Sequence, residues 1–199
     1  MTKFIFTLAG VVLSFFSFAQ NKINSATGAD KINLSDGTQL LFKNTKSKLS
    51  IEEKNKLFKN LNLELSKDKK EFVADGFSLE AHVYPTDMNK DGIEEIFVVL
   101  TSAALYGNVG ETFFLYMKNS LGEYRQQPKI GGGIPTILST KNLKYNDILI
   151  GLPGMEFPVW RWNGQNYIFY KNIKNEALEK MTSTQIEDYS KSYTSSIKD

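Results

Sequence analysis

The chain of 199 residues has no cysteine and one histidine. Without cysteine there is no disulfide framework, no thiol nucleophile, no lipid-modified N-terminal cysteine and no Cys-ligated zinc or iron–sulfur site. A single histidine, His82, excludes a multi-His metal centre. Charge of one sign is also scarce. The 24 Lys+Arg face 22 Asp+Glu, and a net charge of +2 gives no general pull toward nucleic acid or anionic membrane. There is no Gly-x-x-x-x-Gly-Lys-Ser/Thr phosphate cradle, so Gly131–Gly133 reads as a flexible loop, and no Gly-x-Ser-x-Gly elbow. What the chain does have is apolar substance. At 41% hydrophobic and 13% aromatic it can bury a real core, in one domain or one domain with an N-terminal appendage.

The one long apolar run lies at the start. Met1–Lys3 is short and basic, Phe4–Phe16 is almost wholly apolar, and Ser17 and Ala19 put small residues at −3 and −1 of a cut before Gln20. This is the layout of a secretory signal peptide over residues 1–19. The run is about 15 residues, short of the roughly 20 that span a bilayer. The expectation is a periplasmic or extracellular protein with no membrane span after cleavage. Losing Lys3 lowers its net charge to +1. An exported chain without cysteine must draw stability from packing or a bound metal. Export also places it where calcium is abundant enough to fill weak oxygen-ligand sites.

The rest reads as mainly β (α+β). Residues 20–76 form a polar arm, a short strand at Gln39–Lys43 and a helix over Ser50–Leu61, opened by the capping box Ser50-Ile-Glu-Glu53. Lys67–Glu71 is a solvated charge run. Residues 77–199 form a β-repeat domain closed by a C-terminal helix that the capping box Thr184–Glu187 opens, and residues 20–199 make one compact domain. Leu79–Tyr84 alternates as a half-buried strand, and Ile96–Leu100 is apolar enough to be buried on both faces. Thr112–Met117, Ile134–Leu138, Asp147–Ile150, Val159–Trp162 and Tyr167–Tyr170 follow. Asn163–Gly164 is a strong hairpin signal. The strands group into two degenerate four-stranded units, which predicts antiparallel sheets in a partial barrel or sandwich.

The loop between the first two of these strands carries the chemistry. In Asp87-Met-Asn89-Lys-Asp91-Gly92-Ile93-Glu-Glu95, side-chain oxygens fall at positions 1, 3, 5 and 9, with glycine at 6. Calcium takes six to eight hard oxygens in a flexible shell at about 2.3–2.6 Å. Alternating Asp, Asn and Asp aims three side chains at one centre, Gly92 permits the turn that brings the Ile93 carbonyl inward, and Glu95 adds a carboxylate. Position 12 is Val98, not the bidentate Glu of an EF-hand, and a β run follows in place of a helix. The competing reading is an Asx-rich turn, which these residue types favour without metal. The loop and the Phe97-Val-Val99 after it resemble the calcium loop of FG-GAP/VCBS repeats, over Asp87–Val99 only. That resemblance implies Asp87, Asn89, Asp91, Glu95 and the Ile93 carbonyl as ligands of one Ca2+. In the second unit, Lys141–Asp147 has lysines among its potential ligands, so one metal at most is expected.

Other residues are weaker candidates. His82 sits on the polar face of its strand beside Glu80 and Tyr84. Glu94 and Glu95, as neighbours on a strand, point to opposite faces and cannot flank one bond. Phe157, Trp160, Trp162, Tyr167, Phe169 and Tyr170 crowd one hairpin, as core or as an exposed surface for a glycan or protein. The loops Tyr106–Gly110 and Leu152–Phe157 would flank it, making Tyr106, Met155, Phe157, Trp160 and Trp162 the candidate binding surface. The sequence thus points to an exported, non-enzymatic binding protein with one structural calcium. Its partner is a protein or glycan of the cell envelope, as for an inhibitor or immunity-type protein. The alternative is a calcium-assisted hydrolase acting on a glycan or cell-wall polymer, with Asp87, Asp91 and Glu95 around a catalytic metal whose open position faces a pocket with His82.

Overall fold

A computed structural model describes residues 33–107, 110–128, 130, 132–151 and 156–197. The chain divides into Met1–Lys31 and Ile32–Asp199, and everything below concerns the second unit. The expected signal segment 1–19, the expected cut before Gln20, and Met155 lie outside the described residues.

In chain order the elements are α1 (Asp36–Leu41), α2 (Ile51–Leu61), β1 (Glu64–Leu65), β2 (Phe72–Ala74), β3 (Phe77–Thr86), β4 (Glu95–Thr101), α3 (Ala103–Tyr106), β5 (Glu111–Lys118), β6 (Tyr124–Gln126), β7 (Pro135–Asn142), β8 (Tyr145–Ile150), β9 (Glu156–Trp162), β10 (Tyr167–Lys174), α4 (Asn175–Leu178), β11 (Ser183–Gln185) and α5 (Ile186–Thr194). The strands make two antiparallel sheets, ordered β1-β2-β3-β4-β5-β6 and β10-β9-β8-β7-β11, one of them curled into a half-barrel. The mainly β class read from the alternation is the class observed. Each four-strand unit of the sequence is a meander: β3 to β6 in the first sheet, β7 to β10 in the second. Among the described residues no helix is long and apolar enough to cross a membrane.

β4 shows why the sheets stack. Its side chains alternate between two cores, so the whole strand must be apolar. Ile96, Val98 and Leu100 join Leu41, Leu49, Leu57 and Leu61 beneath α1 and α2. Phe97 and Val99 join Ile137, Ile148, Ile150 and Tyr167 of the second sheet, with Ile186 of α5. A third, smaller core packs Leu138, Leu149, Val159 and Ile173 under Leu178 and Met181.

The helices begin where their caps dictate, with two corrections. Ser50 and Glu53 form the expected capping box of α2, Oγ accepting the Glu53 N–H at 3.2 Å and Glu53 Oε2 accepting the Ser50 N–H at 2.8 Å. The segment expected as a strand at Gln39–Lys43 is instead the end of helix α1, through Leu41, and the turn that follows it. Ser35 caps α1, and Gly37 lets it lie against Phe58 of α2, where an added Cβ would stand 2.2 Å from the ring. At the other end Thr184 pairs with Ile137 in β11, so it cannot cap α5; Gln185 takes the N-cap without a side-chain bond. Asn163–Gly164 belongs to a four-residue turn, because Tyr167 pairs with Trp162. The tight turn comes elsewhere, at Leu143–Lys144, both at positive φ between the paired Asn142 and Tyr145.

Candidate functional site

The loop from β3 to β4 is shaped by its own acids. Asp87 accepts the Asp91 N–H on Oδ1 at 3.0 Å and the Gly92 N–H on Oδ2 at 3.1 Å. Asn89 Oδ1 also accepts the Asp91 N–H at 3.0 Å, and Asp91 Oδ1 accepts the Ile93 N–H at 2.8 Å. Lys90 and Gly92, at φ 62° and 85°, supply the left-handed residues that let the chain double back. The Lys90 side chain is exposed to solvent. Met88 turns the other way and is fully buried in the core between the sheets, where the Tyr167 hydroxyl lies 3.8 Å from its sulfur.

Glu95 closes the loop from beneath. It is only 3% exposed, and its Oε2 accepts the Met88 N–H at 2.7 Å and the Thr86 hydroxyl at 3.4 Å. Burial pushes its carboxyl up to about 8, the Met88 N–H partly offsets this, and the charges of Asp87 and Asp91 push it further. Among the described residues no lysine or arginine pairs with any of the three carboxylates. Tyr145 borders the loop. Its hydroxyl is pushed up to about 12 by burial first, then by Glu95 and Asp91, against a hydrogen bond from Asn89. Its ring lies 4.9 Å from that of Trp162, so two candidates distant in sequence, loop and tryptophan, become near neighbours.

The donor set suits calcium: it is all oxygen, its negative charge has no basic partner among the described residues, and one carboxylate is already desolvated. Yet no group of three acidic or histidine side chains among them stands as a ready-made metal cluster. Asn89, the Ile93 carbonyl and water would have to join Asp87, Asp91 and Glu95 in the shell. Ile93 itself is exposed.

Glu94 does something sequence reasoning missed. It is 2% exposed and points away from Glu95. Its carboxylate accepts the Ser47 hydroxyl at 2.6 Å, the Lys48 N–H at 3.0 Å and the Tyr193 hydroxyl at 3.2 Å, and its carbonyl accepts the Tyr124 hydroxyl at 2.9 Å. It thereby ties the segment entering α2 and the helix α5 to the base of the loop. No local signal announces this, since Tyr193 lies 99 residues away in the chain.

Asp147, the acid of the second unit, is spoken for. Arg161 grips it with Nε at 2.9 Å and Nη2 at 2.7 Å, and Thr140 adds a hydroxyl at 2.6 Å. His82 lies opposite Val99 and 3.5 Å from Glu80. It is four residues along β3 from Thr86, the partner of Glu95, hence about 13 Å from it along the strand.

The aromatic candidates sit mostly within the packing. Trp160 and Trp162 are half-buried against the core between the sheets, Phe157 against the third core and Tyr106 against the core under α1 and α2. What protrudes is β10, where Ile168, Phe169 and Tyr170 are 46%, 53% and 45% exposed. β10 is an edge strand, Phe169 meets Trp160 edge-on at 6.5 Å, and the Arg161 guanidinium lies 3.7 Å from the Tyr170 ring centroid. Alternation could not find this, because three consecutive exposed apolar residues reflect the strand's place at the sheet margin and the bulge between Phe169 and Lys171.

Compared with protein-family models, curated proteins and solved structures, the chain matches none.

Proposed function

We propose that the protein is an exported, non-enzymatic binding protein whose β3–β4 loop holds one structural calcium ion. The observation that carries this reading is the buried Glu95 carboxylate set beside Asp87 and Asp91 without a cationic partner among the described residues. Calcium would neutralise that cluster. The Asp87, Asn89 and Asp91 side chains, the Ile93 carbonyl and Glu95 would hold it, as in FG-GAP/VCBS-like loops. Because Met88 roots the loop between the sheets and Glu94 ties it to α5, an ion there would brace both sheets and the C-terminal helix. The hydrolase alternative needs an open metal shell held by Asp87, Asp91 and Glu95 that faces a pocket with His82, and the spacing along β3 opposes it. The partner is a protein or glycan of the cell envelope, met by Ile168, Phe169 and Tyr170 with Trp160 and Trp162 behind them.

Terbium, a calcium mimic that neighbouring tyrosine and tryptophan excite, is the direct probe. Tyr145 and Trp162 should sensitise its emission, calcium should compete it away, and Asp87→Ala with Asp91→Ala should abolish it. Calcium at about 100 times its Kd should stabilise the fold by about 2.7 kcal/mol, and chelator should reverse this. No sensitised emission together with a melt indifferent to calcium would reject the reading. Capture from the native envelope should weaken with Phe169→Ala.

A further inference from the structure

We propose that Asn163 is a self-modification site, at which the backbone nitrogen of Gly164 displaces the side-chain amide and converts Asn163 to aspartate and isoaspartate. Asn163–Gly164 is the one Asn-Gly pair in the chain and lies at the exposed tip of the β9–β10 hairpin. The Asn163 side chain is folded over the backbone that follows it. Its Oδ1 accepts the N–H groups of Gln165 and Asn166, each at 2.9 Å. Two donors on one carbonyl oxygen draw electron density from Cγ, the carbon to be attacked. Among the described residues Nδ2 of Asn163 donates to nothing, so the leaving group is not tethered. The Gly164 N–H is equally uncommitted, and no Cβ stands beside it.

The chemistry needs only water. The Gly164 nitrogen gives its proton to solvent and bonds to Cγ. The Cγ–Nδ2 bond breaks, and Nδ2 takes a proton and leaves as ammonia, closing a succinimide ring. Water then adds to one of the two ring carbonyls and breaks its bond to the Gly164 nitrogen. Opening at Cγ gives aspartate; opening at the main-chain carbonyl gives isoaspartate, whose backbone runs through Cβ. The second product lengthens the turn by one atom where Trp162 pairs with Tyr167 and the Trp162 carbonyl accepts Asn142 Nδ2 at 2.8 Å.

The fold contains its own control. Asn119 is folded back in a similar way over a turn one residue longer, its Oδ1 accepting the Leu121 and Glu123 N–H groups at 2.9 and 3.0 Å, but its successor is Ser120, and a residue with a Cβ hinders attack by its own nitrogen where glycine does not. Asp91–Gly92 is protected differently, because the Gly92 N–H is bound to Asp87 Oδ2.

The test is peptide mapping by mass spectrometry of the folded full chain held at mildly alkaline pH. Asn163 should convert several-fold faster than Asn119, through a species that has lost ammonia, to both aspartyl and isoaspartyl products. Gly164 sits at φ +102°, so Gly164→Ala strains the turn as well as slowing the reaction. Ser120→Gly is therefore the second variant, and it should raise Asn119 several-fold, toward the Asn163 rate. Equal rates at Asn163 and Asn119 in the native chain, or a Ser120→Gly variant whose Asn119 is no faster, would overturn the proposal.

Discussion

Arg161→Met tests how the second sheet tolerates a charge. The Asp147 side chain is 2% exposed and that of Arg161 26%, so the carboxylate depends on its partner for solvation. Arg161 supplies two of its three hydrogen bonds, at 2.9 and 2.7 Å, and Thr140 the third. Truncating the guanidinium leaves a buried carboxylate with one neutral donor. Breaking such a pair costs about 3–5 kcal/mol. For a domain of this size that is a fall in Tm of roughly 6–20 °C. The double variant Asp147→Leu with Arg161→Met removes both charges and keeps the volume, so it should recover most of the loss and lie within about 1 kcal/mol of the parent. Urea unfolding followed by tryptophan emission reads the cycle, since Trp160 and Trp162 flank Arg161 in the chain. If Arg161→Met lost less than about 1 kcal/mol, or if the two substitutions were additive, the claim that Asp147 is held by this pair would fall.

Three further outcomes follow from single contacts. The Tyr116 hydroxyl is fully buried with no hydrogen-bond partner among the described residues, so Tyr116→Phe should be neutral or stabilising by up to about 1 kcal/mol in the same unfolding assay. Gly37→Ala should destabilise by about 1–3 kcal/mol, because its Cβ would stand 2.2 Å from the Phe58 ring, and Phe58→Leu in the same chain should restore part of it. Burial alone would raise the Glu53 carboxyl, but Lys118 at 2.9 Å and the Ser50 backbone outweigh it, and it titrates below 4.5. That depressed value contributes stability above pH 4.5 and loses it as the pH falls through the lowered value; Lys118→Met should flatten this acid limb of the stability curve.

Much of this protein is legible locally. The run Ile96–Leu100 could only be a strand buried on both faces, and Ser50 with Glu53 could only begin a helix. The acid loop is written in consecutive residues, since Asp, Asn and Gly at alternating positions bend the chain through their own hydrogen bonds. Such features depend on neighbours within a few residues, so the order of the residues is enough to specify them.

Tertiary structure alone decided the rest. β1 and β2 are too short to announce themselves and exist because β3 offers a ladder to pair with. The Gln39–Lys43 segment has strand-like residues, yet its helix wins because Leu41 is buried under α2 and Gly37 fits against Phe58. Glu94 and Asp147 read as stray acids until folding brings Tyr193 and Arg161 to them. Whether an aromatic is core or surface turned on which strand became the sheet margin, so Trp160 is half-buried and Phe169 is exposed. Burial is a property of what arrives from elsewhere in the chain, and no pattern confined to a few residues contains it.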